Sequence, residues 1–260
     1  MKVIIFQTSD ARDGFTSNLT NTLKELNSVV LAELPDLVVL PEMWDLNPFD
    51  QESIKENVVD FDVIVKKINE FHWPLGVDIF FGTWPIKSGP KIYNQVVYRN
   101  YRGEFVDNLR KHVPFGFGMG ESAVVSSSQS PNIVLSKFGE MQVLVCFDLR
   151  FPELVRNQAS KPSFLIYIGS WPETRIDHWR SLLISRAIEN QAITIGCNSC
   201  NLIGNIKLGG NSMIVNPLGQ IIFEMDQKTN FGIFSFEEQG LFKIRETFPV
   251  LDYKICNTKV

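Results

Sequence analysis

Short, uninterrupted apolar runs separated by longer amphipathic stretches constrain this chain more than any other feature. "KVIIFQ" (2–7), "DLVVLPE" (36–42), "VDIFFGTW" (77–84), "EMQVLV" (140–145), "SFLIYIGSW" (163–171) and "AITIGCN" (192–198) have the length and content of buried strands. Between them, "NLTNTLKELNSVVLAEL" (18–34) places Leu19, Leu23, Leu26 and Val30 on one helical face, and 58–71 and 178–191 read as further helices. Pro152 and Glu153 suit a helix start, "NYRG" (100–103) a hairpin turn, and "NPLG" (216–219) the turn of a closing hairpin. Strand and helix alternate without a linker or a repeat, which predicts one α/β domain over residues 1–260.

At 44% hydrophobic and 12% aromatic, 260 residues can bury a substantial core. A net charge of −4 with no run of like charges argues against a nucleic-acid or membrane surface, and points to small-molecule chemistry. The opening "MKVIIFQTSDARDG" has four consecutive apolar residues before Gln7, too few for a signal-peptide core. No segment reaches the ~20 apolar residues of a membrane span, so a cytoplasmic location is expected. Four cysteines (146, 197, 200, 256) do not make a disulfide framework, and reduced thiols are expected.

Two of the apolar runs end on reactive groups. Glu42 follows Leu37–Leu40, and Cys146 follows Met141–Val145; in open α/β sheets such groups gather outside the carboxyl ends of strands. Lys111, in "NLRKHVPFG", follows the hairpin arm at 104–109. A thiol, a carboxylate and an ammonium suffice for acyl transfer: the thiol attacks, the carboxylate moves the proton, and the ammonium stabilises the oxyanion. Singly, each residue has an ordinary structural explanation, since cysteine packs as a small apolar group and a strand-end glutamate pairs with cations.

Taken together, "LPEMW", "RKHVPFG" and "CFDLRFPE" resemble the glutamate, lysine and cysteine motifs of the nitrilase, or carbon–nitrogen hydrolase, superfamily. The likeness continues through "GSWPETRIDHWRSLLISRAIENQAITIGCN" and "GGNSMIVNPLGQII", covering roughly residues 2 to 253, and is nearest the omega-amidase branch. The resemblance implies a four-layer α-β-β-α sandwich, a homodimer, no cofactor and no metal. It also implies Glu42, Lys111 and Cys146 as the catalytic triad and the backbone N–H of Phe147 as oxyanion donor. A second acid, Glu121, matches the position of one that orients the lysine or the substrate amine. The implied substrate is a small linear amide, such as the omega-amide of a 2-oxo dicarboxylic acid. A cationic partner for its carboxylate is sought among Arg150, Arg175 and Arg186, near the "SW" containing Trp171.

Two departures bear on this assignment. The family commonly writes Lys-x-His, whereas Lys111 directly precedes His112; counting back from the histidine puts Arg110 in the slot, counting forward from Gly103 puts Lys111 there. Lys111 is favoured because an ammonium is the more compact donor. Phe147 stands where many relatives have tyrosine, which leaves a backbone donor unaffected.

Other features invite blander explanations. "CNSC" (197–200) has no second pair and the chain has three histidines, so zinc is not expected. Asp148 and Arg150 are expected to hold the turn after Cys146 through hydrogen bonds and an ion pair. Gly116, Gly118 and Gly120 suit a mobile loop at a site mouth. Apolar flanks and Trp44 are expected to give Glu42 a pocket that raises its pKa. His112 or His178 pairing with the cysteine stays open, as do N-carbamoyl amine or nitrile hydrolysis with the same triad and a non-catalytic binding or scaffold role.

Overall fold

Strands apolar at every position bury both faces, and the layers follow from that. In the computed structural model, which describes residues 1–7, 15–117 and 120–253, one sheet holds β1 (Lys2–Phe6), β2 (Leu37–Val39), β3 (Asp78–Ser88), β4 (Lys91–Arg99) and β5 (Phe105–Val106). The second holds β6 (Ile133–Ser136), β7 (Gly139–Val145), β8 (Phe164–Gly169) and β9 (Ile193–Asn198). A small hairpin, β10 (Leu202–Ile203) and β11 (Ile206–Lys207), precedes β12 (Met213–Val215) and β13 (Ile221–Glu224), which extend the second sheet. The chain then returns to the first sheet as β14 (Phe231–Ser235), antiparallel to β1. The sheet orders are β14-β1-β2-β3-β4-β5 and β13-β12-β9-β8-β7-β6, each with a parallel centre and antiparallel flanks.

Alternate residues of each strand divide between two packings. Val3, Ile5, Leu37 and Val39 face Met141, Val143, Val145, Ile166 and Ile168 of the other sheet in one shared core. Their neighbours Ile4, Phe6, Val38, Leu40, Ile79 and Phe81 face outward against α1 (Phe15–Glu33), through Leu19, Leu23, Leu26 and Val30. After the short α2 (Gln51–Glu56), α3 (Phe61–Ile68) adds Ile64 and Ile68 to that outer layer. On the far side Leu144, Leu165 and Tyr167 pack against Trp179, Leu183 and Ala187; a one-turn α4 (Glu153–Arg156) precedes their helix, α5 (Ile176–Asn190). Each such fully buried side chain contributes on the order of 1.5–3 kcal/mol. The result is the four-layer α-β-β-α sandwich that the resemblance implied.

Some boundaries move for visible reasons. The helix expected over 58–71 begins only at Phe61, because Val59 forms an isolated bridge with Ile86, its N–H donating to Pro85 O at 3.1 Å. The 213–224 hairpin turns at Asn216–Gly219 as expected, but β14 follows it, so it does not close the structure.

The segment after β2 is pressed onto β3. Gly82 lies at φ +93°, at a register shift between β3 and β4; a Cβ there would fall 2.3 Å from the Pro41 carbonyl oxygen and 2.6 Å from Trp44 Cδ1. Met43, at φ +40°, donates its N–H to Thr83 Oγ1 at 3.1 Å, and Trp44 Nε1 donates to Phe81 O at 2.7 Å. Trp44 therefore belongs to the outer core with Trp84, and does not wall a pocket for Glu42. Asp45 is buried; Oδ2 accepts from Trp84 Nε1 at 2.7 Å, Oδ1 has no partner, and burial raises its carboxyl pKa to about 7.

Gly82→Ala and Gly76→Ala both replace a positive-φ glycine, but Gly76 has nothing within 4 Å of its would-be Cβ. Urea unfolding should show a loss of about 1–2 kcal/mol at Gly76, and a further 1–3 kcal/mol at Gly82 from overlap. Equal losses would mean the Pro41–Trp44 segment gives way freely. Because Asp45 binds its proton more tightly folded than unfolded, stability should fall as pH rises from about 4 towards about 7, then level off. Asp45→Asn keeps an acceptor for Trp84 and should lose that slope, gaining on the wild type at pH ~8 relative to pH ~5. An unchanged slope would place the titration elsewhere.

Candidate active site

Strand alternation decides which basic residue enters the site. Arg110 bridges Gln95 of β4, and the Lys111 N–H donates to Asn94 O at 2.8 Å, so consecutive side chains leave on opposite faces. Arg110 turns outward: Nε donates to Gln95 Oε1 and Nη2 to Ser88 Oγ, both at 3.0 Å, and the guanidinium lies 3.9 Å from the Tyr93 ring centre. Lys111 turns inward and is 2% exposed, with Nζ donating to Glu42 Oε1 at 2.8 Å and to Glu121 Oε1. Of the two registers the sequence allowed, only the one with Lys111 reaches the carboxylates.

Glu42 leaves β2 towards this ammonium. Its Oε1 also accepts from Asn94 Nδ2 at 2.8 Å and its Oε2 from the Ser170 N–H at 3.2 Å; its main-chain carbonyl accepts from Ser170 Oγ at 2.7 Å. Glu121 opens a 3-10 turn, Glu121–Ala123, and accepts from Asn94 Nδ2 at 2.9 Å and from the Phe115 N–H at 3.0 Å. Asn94 and Ser170 were missed in the sequence. Asn94 stands beside a second amide, Gln95, in the arm "IYNQVVY", and only strand alternation tells which of the two faces inward; Ser170 left no signal beyond its place after a strand.

Cys146 arrives from the other sheet, at the end of β7, and opens the 3-10 turn Cys146–Arg150 at φ +49°. Such a left-handed conformation in a non-glycine residue costs roughly 1–3 kcal/mol and persists where the surroundings enforce it. Asp148 does the enforcing: its carboxylate accepts from the N–H groups of Val145 (3.0 Å), His112 (3.2 Å) and Val113 (2.9 Å). The expected Asp148–Arg150 ion pair is absent, because Asp148 faces His112 while Arg150 leans over Trp171, 4.8 Å from the ring centre. Both ring nitrogens of His112 are occupied, at Asp148 Oδ2 and Ser130 O, which leaves none for the thiol, while His178 is exposed and its Nδ1 meets Arg150.

The Cys146 thiol and the Glu42 carboxyl act on each other's proton. Burial raises the Glu42 pKa; Lys111 opposes that and Glu121 adds to it. Burial also pushes the Cys146 thiol well up, as does the neighbouring Glu42 charge, with Lys111 pulling the other way. For Lys111 burial disfavours the charge, but Glu121 and Glu42 override it and hold the amine firmly protonated.

A cavity of about 540 Å³ opens onto Cys146, walled by Phe49, Phe115, Phe117, Phe147 and Trp171, with Arg150 and Arg175 as its charged lining. Arg175 lies 5.8 Å from the Phe115 ring centre. Burial lowers the Arg150 pKa, and the nearby Arg175 charge lowers it further. Arg186 is not part of this lining and its assignment to a substrate is corrected: it is buried, with Nη2 donating to Leu149 O at 2.6 Å and Nη1 to Glu189 Oε1 at 2.8 Å. Cys197 is fully buried, its thiol on Phe6 O and Val39 O. No metal-binding cluster of His, Cys, Asp and Glu occurs among the described residues, and no described helix is long and apolar enough to cross a membrane. Gly118 and Cys256 lie outside the described residues.

Comparison with known proteins agrees with this geometry. Residues 16–233 match the carbon-nitrogen hydrolase family. The chain is 41% identical over 221 residues to omega-amidase YafV of Escherichia coli, covering 82% of each chain, and 30% identical over 222 residues to 2-oxoglutaramate amidase of Bacillus subtilis, covering 84% of each. Its structure superposes on that of Saccharomyces cerevisiae Nit3, a member of branch 10 of the nitrilase superfamily, with a TM-score of 0.81 at 25% identity, over 96% of this chain and 94% of the other. The chain belongs to the carbon-nitrogen hydrolase family and is an amidase-type enzyme of the nitrilase superfamily.

Proposed function

We propose that the enzyme is an omega-amidase that hydrolyses a short linear amide bearing a carboxylate at its far end, through a thioester on Cys146. The observation that carries this reading is the convergence, on one cavity, of the Cys146 thiol with its Glu42–Lys111 pair and of two guanidiniums, Arg150 and Arg175. A carboxylate enters a largely apolar pocket only where a cation or several donors replace its water. The relatives named as 2-oxoglutaramate amidase and omega-amidase support a 2-oxo dicarboxylic monoamide.

In the first half-reaction Glu42 takes the thiol proton as Sγ bonds to the amide carbonyl carbon. The oxyanion is held by the Lys111 ammonium and the Phe147 N–H, each good donor being worth about 3–4 kcal/mol. Collapse breaks the C–N bond, and the leaving nitrogen takes the proton from Glu42 and departs as ammonia. In the second half Glu42 deprotonates a water that attacks the thioester; the acid leaves and the proton returns to sulfur. Glu121 holds Lys111 in place, and Trp171 and Phe147 flank the acyl chain. The whole chain acts as one domain, because the site needs both sheets, and no cofactor is required. Exposed Ile188 and the adjoining turn at Leu218 support pairing into a homodimer. The chemistry suits a cytoplasmic enzyme of free metabolites.

Cys146→Ser should fold normally and lose nearly all turnover. Lys111→Ala should lower kcat/KM by about a hundredfold or more, with Arg110→Ala far milder. The reverse ranking would refute the assignment of Lys111. Ammonia release from 2-oxoglutaramate should show a far higher kcat/KM than release from butyramide, and Arg150→Ala or Arg175→Ala should narrow that gap through KM. Equal values for charged and neutral amides, or activity confined to N-carbamoyl amines or nitriles, would sink the omega-amidase reading and leave the triad standing.

A further inference from the structure

His112 sits directly after Lys111, is 6% exposed, and faces acceptors at both ring nitrogens. Nε2 lies 2.6 Å from the Ser130 carbonyl oxygen, and Nδ1 lies 3.3 Å from Asp148 Oδ2. A carbonyl and a carboxylate can only accept, whereas a neutral imidazole has one N–H; both contacts are hydrogen bonds only if the ring carries two protons. The Asp148 it faces is fully buried and holds the turn that carries Cys146 and Phe147. The chain segment bearing the ammonium is thereby tied to the turn bearing the nucleophile, although the two come from different sheets, by the His112 and Val113 N–H groups and, in addition, by the His112 imidazole.

We propose that His112, as an imidazolium, is a positioning residue that sets the spacing between the Lys111 ammonium and the Cys146 turn. This rests on reading those two as the reacting pair. The groups that meet the ring are Asp148 from the cysteine turn and the Ser130 carbonyl from the loop before β6; the neighbouring Lys111 side chain is directed away, to Glu42 and Glu121. Burial works against the charge, yet Asp148 and Ser130 together lift the His112 pKa above its ordinary value. Loss of the proton leaves Asp148 a buried carboxylate without this cation and sets a lone pair against an acceptor. The turn at Cys146, already strained, then loses a restraint, and alignment at the oxyanion should suffer more than substrate binding.

Two measurements test this. With three histidines in the chain, ring ¹⁵N–¹H spectra resolve each; at pH 7.5 His112 should show both nitrogens protonated and lose one proton only at higher pH. A neutral ring at pH 7.5 would overturn the proposal whether or not any amide is a substrate. In kinetics with 2-oxoglutaramate, His112→Gln should lower kcat about ten- to hundredfold with KM changed less than about threefold. It should also remove the alkaline fall of kcat that parallels the ring titration. The rate of Cys146 alkylation by iodoacetamide against pH reads the same step without a substrate. A variant that loses only thermal stability, with kcat and both pH profiles unchanged well below its Tm, would make His112 a structural residue and nothing more.

Discussion

One ammonium between two carboxylates, out of water, is the interaction on which the rest of this molecule depends. Lys111 meets Glu42 and Glu121 where all three are almost fully buried. Moving charges from water into such a place costs several kcal/mol each, and their attraction offsets that only when the geometry is tight and the remaining oxygens find donors. The fold supplies those donors: Asn94 reaches both acids, Ser170 binds Glu42, and the Phe115 N–H binds Glu121. Each donor comes from a different piece of chain, which ties the end of β2, the interior of β4, the residue after β8, and Phe115 and Glu121 to one point. Removing one charged partner strands the others at a cost of roughly 3–5 kcal/mol, so stability and chemistry share the same residues here.

The same cluster explains how a thiol can react without standing permanently as a thiolate. Burial and Glu42 keep the proton on sulfur, while burial and Glu121 make Glu42 a better proton acceptor than a carboxylate in water. In the proposed mechanism the proton moves only when a carbonyl is in place to take the electron pair from sulfur, with the ammonium set to meet the negative charge that then appears. Two carboxylates sharing one cation leave one negative charge in excess, and the Glu121 charge adds to burial in raising the proton affinity of Glu42.

Much of this was legible beforehand, and the limits have physical causes. Runs such as "KVIIF" and "FLIYIG" announce strands buried on both faces, and a 3.6-residue spacing announces α1; both depend on local periodicity alone. The strand-end positions of Glu42 and Cys146 were readable, as was Lys111 once ordered motifs were set side by side. The choice between Arg110 and Lys111 was open because alternation fixes a face only after pairing with β4 is known. Arg186 misled because helix α5 lies beside the motifs in sequence while its arginine bonds to the back of the cysteine turn. Trp44 misled for a similar reason: a residue two positions from Glu42 points into the opposite layer. Asn94, Ser170 and Phe49 reach the site from distant segments, and no local pattern records that meeting.

β1 is the second strand of its sheet by position, yet its far neighbour, β14, is not made until residue 235. During synthesis the first sheet thus presents a bare apolar edge, Lys2–Phe6, until every other strand of both sheets has been made. An exposed edge of this kind recruits other strands, so the nascent chain is at greatest risk of aggregation before β14 is released. Slow emergence of the region after β13, or a truncation short of Ser235, should therefore be felt as lost yield of soluble protein. The buried charge cluster has the opposite history: all of its members, from Glu42 to Ser170, are already made while that edge still waits for its partner.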